Sequence, residues 1–91
     1  MFRRRKKLES LGRFFDVPSE IILDLPRLTG LGNKQMLIEN HKGIIEYSSL
    51  VVRIKVNSGE IIIKGRNLSI GVFQAEQLLV EGIIEVIEYG F

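Results

Sequence analysis

The chain has 91 residues, a length that suits one domain rather than two. It contains no cysteine, which excludes disulfides, thiol catalysis and thiolate metal sites. No apolar run reaches the ~20 residues of a membrane-spanning helix, and the basic N-terminus lacks the apolar stretch of a signal peptide. We therefore expect a small cytoplasmic protein with a modest core, of the kind that self-association often stabilises.

The formal net charge of +2 is distributed unevenly. Residues 1–13 contain six basic residues against a single acidic one, Glu9, whereas residues 14–91 contain seven basic and ten acidic residues. The body of the chain is therefore mildly acidic, and this disfavours nucleic-acid binding by the domain as a whole.

Residues 1–16 predict a basic amphipathic arm. Leu8, Leu11 and Phe15 have the i, i+3, i+7 spacing of one helix face, although Gly12 weakens a helix there. A short helix of this kind can lie on an anionic membrane, contact a partner or bind phosphates; a solvated, disordered terminus is the alternative. The candidate contact residues for membrane or partner are Arg3, Arg4, Arg5, Lys6 and Lys7.

Residues 17–91 predict a single β domain. Pro18 separates this domain from the arm, and the apolar residues 21–25 are predicted to form a first strand that Pro26 ends. A second strand begins at Arg27 and is followed by a glycine-rich turn. The next predicted elements are a strand at 35–40, a turn at 41–43 and the return strand at 44–47.

Residues 50–65 have the pattern of a β-hairpin. In residues 51–56, apolar and basic side chains alternate with a period of two, which is typical of a half-buried strand. Residues 57–59 supply the turn, and the return strand at 60–64 has three consecutive isoleucines. We expect this return strand to lie in the middle of a sheet with both of its faces covered.

The last predicted strand covers residues 77–89, after a turn at 65–67, a strand at 68–73 and a connector at 74–76. Its alternation places Gly82 on an apolar face, where the missing side chain permits a bulge or a close backbone approach. The apolar members of that predicted face are Leu78, Val80, Ile84 and Val86.

The predicted fold class is all-β. We expect a small antiparallel sheet or meander that closes into a sandwich or a partly open barrel. The segment 60–65 resembles the segment 77–82, since each has three apolar residues, a charge and a glycine in that order. This internal similarity leaves a short β-solenoid as an alternative, although two copies are few for such a fold.

The charges of the C-terminal half predict pairs across strands. Residues 50–66 carry four basic residues, whereas the chain from Glu76 onward carries four glutamates and no basic residue. If the last strand lies beside the hairpin, opposite charges will pair between the strands. The same complementarity would also fit an edge-to-edge contact between subunits.

The residues predict no catalytic site, metal site or cofactor site. His41 is the single histidine, and a turn histidine bonded to backbone is the simpler interpretation than a base or metal ligand. Glu81 and Glu85 fit a solvated or ion-paired strand face better than an acid–base pair. We therefore expect the protein not to be an enzyme.

Several short motifs resemble the YabP/YqfC-type sporulation protein family, and most of all its YqfC branch. They are Leu-Pro-Arg at 25–27, Ile-Glu-Asn-His-Lys-Gly at 38–43, and the two apolar-charge-glycine segments at 62–65 and 79–82. The family-motif positions of unknown role are Pro26, Arg27, Glu39, Asn40, His41 and Gly43.

This resemblance implies a protein made in the mother cell of a sporulating, endospore-forming bacterium, with no catalytic residues. We expect it to act by association, either as a homo-oligomer or on a sporulation partner, with the forespore-surrounding membrane as a candidate location. The alternative is a nucleic-acid-associated regulator that uses the basic arm. For the motif positions we expect turn and sheet-edge roles, with a binding surface as the alternative.

Overall fold

The computed structural model describes residues 24–91, which form six β-strands. The strands are β1 (Arg27–Leu31), β2 (Gln35–Glu39), β3 (Ile44–Tyr47), β4 (Val51–Val56), β5 (Gly59–Phe73) and β6 (Gln77–Gly90). Neighbouring strands are antiparallel and form one open sheet in the order β1-β2-β6-β5-β4-β3. The predicted all-β antiparallel fold is confirmed. The solenoid alternative is wrong, because β-solenoids stack parallel strands.

The central hairpin forms as predicted. β4 and β5 pair through residues 51–64, with the turn at 57–58. Val52, Ile54 and Val56 are fully buried, as the alternation requires. β5 lies between β4 and β6 in the middle of the sheet, but its outer face is not covered as expected, since Ile62 is only partly buried.

β5 and β6 form a hairpin of 15 and 14 residues that bends at its centre. Three register shifts interrupt the pairing, and such bulges twist and bend a strand. A Cβ atom on Gly65 would overlap the carbonyl oxygen of Ile83, and one on Gly82 would lie 2.5 Å from that of Asn67. The predicted close approach at Gly82 is therefore confirmed. The predicted turn at 65–67 is wrong, because these residues lie inside the continuous β5.

The bend divides the sheet into two four-stranded halves. Arm A consists of β1, β2, residues 77–81 of β6 and residues 68–73 of β5. Arm B consists of β3, β4, residues 59–66 of β5 and residues 83–90 of β6. In each arm a short hairpin (β1–β2 in arm A, β3–β4 in arm B) pairs with the first half of one long strand (β6 in arm A, β5 in arm B). The second half of the other long strand pairs with the far side of that first half. The two arms thus have the same strand order.

The match between the arms extends to individual hydrogen bonds. In each arm, two carbonyl groups in the turn of the short hairpin accept hydrogen bonds from the backbone N–H groups at the bend. In arm A these are Gly82 N to Lys34 O (3.1 Å) and Ile84 N to Asn33 O (2.8 Å); in arm B they are Gly65 N to Leu50 O (3.0 Å) and Leu68 N to Ser49 O (2.9 Å).

This correspondence explains the internal similarity of residues 60–65 and 77–82. Each segment is the first half of a long strand, contributes two inward apolar side chains and ends at a bend glycine. In register terms, Ile61 pairs with Ile54 of β4 just as Leu78 pairs with Ile38 of β2.

The two arms face each other across one core. Asn40 N donates to Glu76 O (2.8 Å) beside the start of β6, and Lys42 N donates to Lys55 O (2.7 Å). The row of Lys55 continues through β5 to Gly90, at the far end of β6. If β6 were straight, its two ends would be roughly 45 Å apart. The step from Asn40 to Lys42, which contact the chain near these two ends, spans at most about 7 Å. The long hairpin must therefore fold back on itself.

The resulting core draws on both arms. Its buried side chains form one cluster, with partly buried Leu28, Ile44, Ile70 and Ile87 packed against it. The cluster members are Met36, Ile38, Val52, Ile54, Val56, Ile61, Ile63, Leu68, Leu78, Val80 and Ile84.

Three sequence-based expectations are wrong in detail. β3 is not the return strand of β2: it pairs with β4 at the opposite edge of the sheet, because residues 40–43 cross from one arm to the other. In β6 a register shift moves Val86 to the outside and lets Ile87 pack against the core. Residues 24 and 25, the described part of the predicted first strand at 21–25, are not in a strand. The expectations for residues 1–23, including an N-terminal helix, a disordered arm and the boundary at 17, lie outside the described residues.

Candidate functional site

The predicted motif positions meet at one corner of arm A, where β1 begins and β2 ends. Pro26 immediately precedes β1, and Arg27 is the register partner of Glu39 in the β1–β2 pair. The other three positions belong to the connection that leaves β2: Asn40, His41 and Gly43. Two motifs that are separate in the sequence therefore form one structural unit.

Asn40 anchors the chain at this corner. Its backbone has a left-handed φ of 62°, a conformation that asparagine tolerates better than most residues. Its side-chain Nδ2 donates to Asp24 Oδ1 and to the Leu25 carbonyl oxygen, both at 3.0 Å. Lys42 Nζ lies 3.1 Å from the same Asp24 oxygen. The hydrogen bond from Asn40, and then that from Lys42, holds the pKa of Asp24 below its ordinary value.

Within residues 24–91, His41 is the one buried polar side chain, and both of its ring nitrogens are bonded to backbone. The Gly43 N–H donates to Nδ1 at 3.0 Å, and Nε2 lies 2.8 Å from the Gln74 carbonyl oxygen. A backbone N–H can only donate, so Nδ1 accepts and the ring hydrogen is on Nε2. The ring also packs against Phe73, with a centroid distance of 5.7 Å.

A comparison with arm B explains the role of the His41 side chain. There the β4 strand turns directly into β5 through residues 57–58. In arm A the equivalent strand ends, at Glu39 in β2 and Gln77 in β6, are not joined; residues 40–43 and 74–76 lead away in different directions. The side chain of His41 and the backbone bond from Asn40 N to Glu76 O join these two connections, where arm B uses the chain itself. The predicted bonding of His41 to backbone is confirmed, whereas the predicted turn at 41–43 is wrong, because these residues cross between the arms.

An open groove of about 630 Å³ lies at this corner, formed by residues 40–43 and 73–76. Across residues 24–91, no group of three His, Cys, Asp or Glu side chains is placed to hold a metal ion. The polar groups here that could serve in catalysis or binding are instead engaged in internal hydrogen bonds. They belong to the side chains of Asp24, Asn40 and His41. These hydrogen bonds hold the connections of the corner together.

The outer face of arm A carries a row of uncharged side chains. By register, Leu37 of β2 pairs with Thr29 on one side and with Leu79 of β6 on the other, and Leu79 pairs with Val72 of β5. Leu37 and Leu79 are partly buried, and Val72 is 39% exposed. We call these four residues the apolar row.

The outer face of arm B carries an ion-pair ladder at the corresponding positions. Arg53 occupies the position equivalent to Leu37; it bonds Glu60 through Nε at 2.7 Å and Nη2 at 2.9 Å, and Glu46 through Nη1 at 3.2 Å. Further pairs are Lys64–Glu88 (2.8 Å) and Arg66–Glu85 (3.4 Å). The predicted cross-strand charge pairing is therefore confirmed, within one chain.

Hydrogen bonding across this ladder shifts the ionisation of its central pair. The hydrogen bonds that Arg53 donates to Glu60, and then to Glu46, raise the pKa of Arg53. The hydrogen bond from Arg53 lowers the pKa of Glu60. Both shifts favour the charged forms, so the face of arm B is a solvated, internally neutralised surface.

Sequence reasoning misses several partners of the corner. The sequence pattern places Asp24 in a strand, and it does not connect Phe73 and Gln74 with His41, because their contacts join residues more than thirty positions apart. The candidate contacts Arg3, Arg4, Arg5, Lys6 and Lys7 lie outside the described residues. In the part of the chain that the structure describes, no helix has the length and apolar character needed to cross a membrane.

Comparison with known proteins supports the resemblance seen in the motifs. The model of the YabP family matches residues 25–90. The chain is also 36% identical over 90 residues to "Uncharacterized protein YqfC" of Bacillus subtilis (strain 168), an alignment that covers 98% of this chain and 97% of that protein. No solved structure matches it. The predicted family is confirmed, and the chain belongs to the YabP family.

Proposed function

We propose that this chain is a non-enzymatic sporulation protein that acts by protein association in the mother cell of an endospore-forming bacterium. The sporulation role is supported by membership of the YabP family and by what the resemblance to the sporulation proteins implies. The relative in Bacillus subtilis is itself uncharacterised, so the mode of action is argued from this chain.

The corner of arm A supports a role without catalysis. Both nitrogens of His41 and the Asp24 carboxylate are used to hold the connections together. A general base needs a free lone pair directed at a substrate, and the Nδ1 lone pair of His41 instead faces the Gly43 N–H. These groups therefore serve the fold.

The outer edge of β3 carries the proposal of association. β3 is the last strand of arm B in the sheet, and its Ile45 and Tyr47 are 46% and 53% exposed. Soluble proteins commonly protect such edges with lysine, proline, inward charge, bulges or short strands; β3 (Ile44–Tyr47) has no lysine and no proline, and its four residues include a register shift between Ile44 and Glu46. Its one charge, Glu46, is bonded to Arg53.

A second copy of this chain is the partner we propose for this edge. Two β3 strands related by a two-fold axis would pair antiparallel, which satisfies backbone groups on both chains. The contact would place Tyr47 of each copy over apolar neighbours of the other. The two sheets would then continue as one across the dimer.

The experiment compares equivalent edges of the two arms. We expect light scattering on the full chain to show a dimer or larger assembly, and Tyr47→Lys to convert it to a monomer, because a lysine on an edge opposes pairing. Leu31→Lys, at the β1 edge of arm A and 68% exposed, is the matched control and leaves the assembly intact.

The same variants test the biological role. In sporulating cells, Tyr47→Lys should lower the yield of heat-resistant spores and Leu31→Lys should not. A full chain that is monomeric at every concentration, or a Tyr47→Lys strain that sporulates like the wild type, would contradict association through β3.

A further inference from the structure

The apolar row of arm A contrasts with the ladder of arm B at equivalent positions. In arm A, Leu37 and Val72 are the two register partners of Leu79. In arm B, Arg53 and Glu88 are the two register partners of Ile62. Leu37 is therefore equivalent to Arg53, and Val72 to Glu88. The arm B positions are charged and paired, as a solvated sheet face requires. A sheet face with apolar side chains at these positions is typical of one covered by a further layer.

We propose that residues 5–15 of this chain dock on the outer face of arm A as an amphipathic helix. The apolar side chains of that segment are Leu8, Leu11, Phe14 and Phe15, and the spacing of Leu8, Leu11 and Phe15 would place these three on one helix face. The rise from Leu8 to Phe15 is about 10 Å. The apolar row from Leu37 to Val72 crosses two strand spacings, also about 10 Å. The two stripes therefore match in length.

The described chain begins at the right place for this contact. Asp24 is held at the corner of arm A by Asn40 and Lys42. This corner is where β2 ends, two residues after Leu37 of the apolar row. Residues 16–23 reach at most about 27 Å, and arm A is about 14 Å wide between β1 and β5. A segment tethered this closely has a high effective concentration at the surface, which favours docking within one chain.

Charge complementarity points to the same segment. The row on one side of the apolar row contains Arg27 beside Glu39, and the row on the other side contains Glu81, which accepts a hydrogen bond from Gln35 Nε2 at 3.0 Å. Residues 5–15 carry four basic residues against the single acidic Glu9. An apolar row with the carboxylate of Glu81 beside it fits an apolar stripe with basic flanks. The ladder of arm B offers neither feature.

The test uses photo-cross-linking in the full chain. Val72→p-benzoylphenylalanine places the cross-linker on the apolar row, and Glu88→p-benzoylphenylalanine is the matched control on arm B. Irradiation followed by mass spectrometry should give, at monomer mass, a link from position 72 to residues 8–15 and no such link from position 88. Circular dichroism checks that each variant is folded, and Leu31→p-benzoylphenylalanine provides a second probe on the same face.

A further variant tests the energetic basis. Adding Leu79→Gln to the cross-linking chain should lower the yield of the intramolecular link about tenfold, the factor expected for one lost leucine contact. Links from position 72 only to other regions, links at dimer mass to residues 8–15 of another copy, or equal links from positions 72 and 88 would each overturn the proposal.

The outcome is separable from that of the proposed function. Association through β3 is measured as assembly mass and its loss in Tyr47→Lys, on the other arm of the sheet. A monomeric chain with the intramolecular link would overturn the β3 contact and support docking. An assembled chain with no link at residues 8–15 would do the reverse.

Discussion

The two arms of the sheet share an interior and differ on the outside. In both, inward β-branched and leucine side chains meet at one core, and both short hairpins close onto a bend glycine. On the outside, arm A presents Leu37 and Val72 where arm B presents Arg53 and Glu88. Core packing therefore determines which side chains point inward in both arms. The choice of apolar or charged side chains on the outside depends on whether each face contacts solvent or another surface.

The arms also differ in how their strand ends are closed. Arm B uses a two-residue turn at 57–58, and arm A uses the buried ring of His41 to hold residues 40–43 beside residues 74–76. A covalent turn needs no side chain. A joint between two separate connections depends on hydrogen bonds instead, and the ring of His41 adds to the backbone bond from Asn40 N to Glu76 O.

The largest expected effect comes from the glycines at the bend. Gly65→Ala and Gly82→Ala should each lower the free energy of unfolding by about 3–4 kcal/mol, because a Cβ atom meets backbone that cannot move away, and Gly82 has a φ of 133°. If the arms are equivalent at the bend, the two losses should be similar. Urea denaturation followed by circular dichroism measures both.

Gly32→Ala is the control for these variants. Gly32 also has a positive φ, 54°, but a Cβ atom added there would meet no other atom within 4 Å. Its substitution should cost only about 1 kcal/mol, the conformational cost alone. A loss at Gly65 or Gly82 as small as that at Gly32 would show that the strands do not cross as closely as described.

An intermediate effect is expected at the joint of arm A. His41→Leu should lower the free energy of unfolding by about 1–3 kcal/mol, because it leaves the Gly43 N–H and the Gln74 carbonyl without the ring. His41→Gln should cost less, since an amide replaces one of the two bonds. Thermal unfolding checks this order, and equal stability of His41→Leu and the wild type would contradict the bridging role.

The smallest effect is expected on the outer face of arm B, in the pH dependence of stability. The hydrogen bond from Arg53 lowers the pKa of Glu60 below its ordinary 4.5 in the folded chain. A lowered folded pKa stabilises the folded state above the unfolded pKa, and this contribution disappears as the pH falls through the folded pKa. Glu60→Gln should therefore be less stable than the wild type at pH 7 and equal to it at about pH 2.

The double variant Arg53→Gln with Glu60→Gln separates this pair from its surroundings. It should show the same loss of pH dependence as Glu60→Gln alone, because the shift needs both partners. If the wild type remained more stable than these variants at low pH, the difference in stability would come from packing of the side chains rather than from charge.

Sequence patterns predicted the local elements well and their long-range arrangement poorly. The alternation of residues 51–56 identified β4, its buried side and the hairpin with β5, because these features depend on neighbours within a few residues. The place of β3 could not be predicted in this way. Its pairing follows from the crossing of residues 40–43 between the arms, which depends on the bend far along the chain.

The internal similarity of residues 60–65 and 77–82 was visible in the sequence, but its meaning required the register. It reflects equivalent first halves of β5 and β6 in two antiparallel arms rather than stacked coils. At the corner, the motif residues were identified and their grouping was not, because Asn40 and His41 act through Asp24 and Gln74.

The sheet order has a consequence for the order in which the protein is made. Arm B is local: β3, β4 and the first half of β5 follow one another and can pair as soon as they leave the ribosome. β2 must wait, because its second neighbour is β6, the last strand synthesised, and Ile38 meets Leu78 forty residues later. The β1–β2 hairpin therefore remains without a partner strand for almost the whole of synthesis.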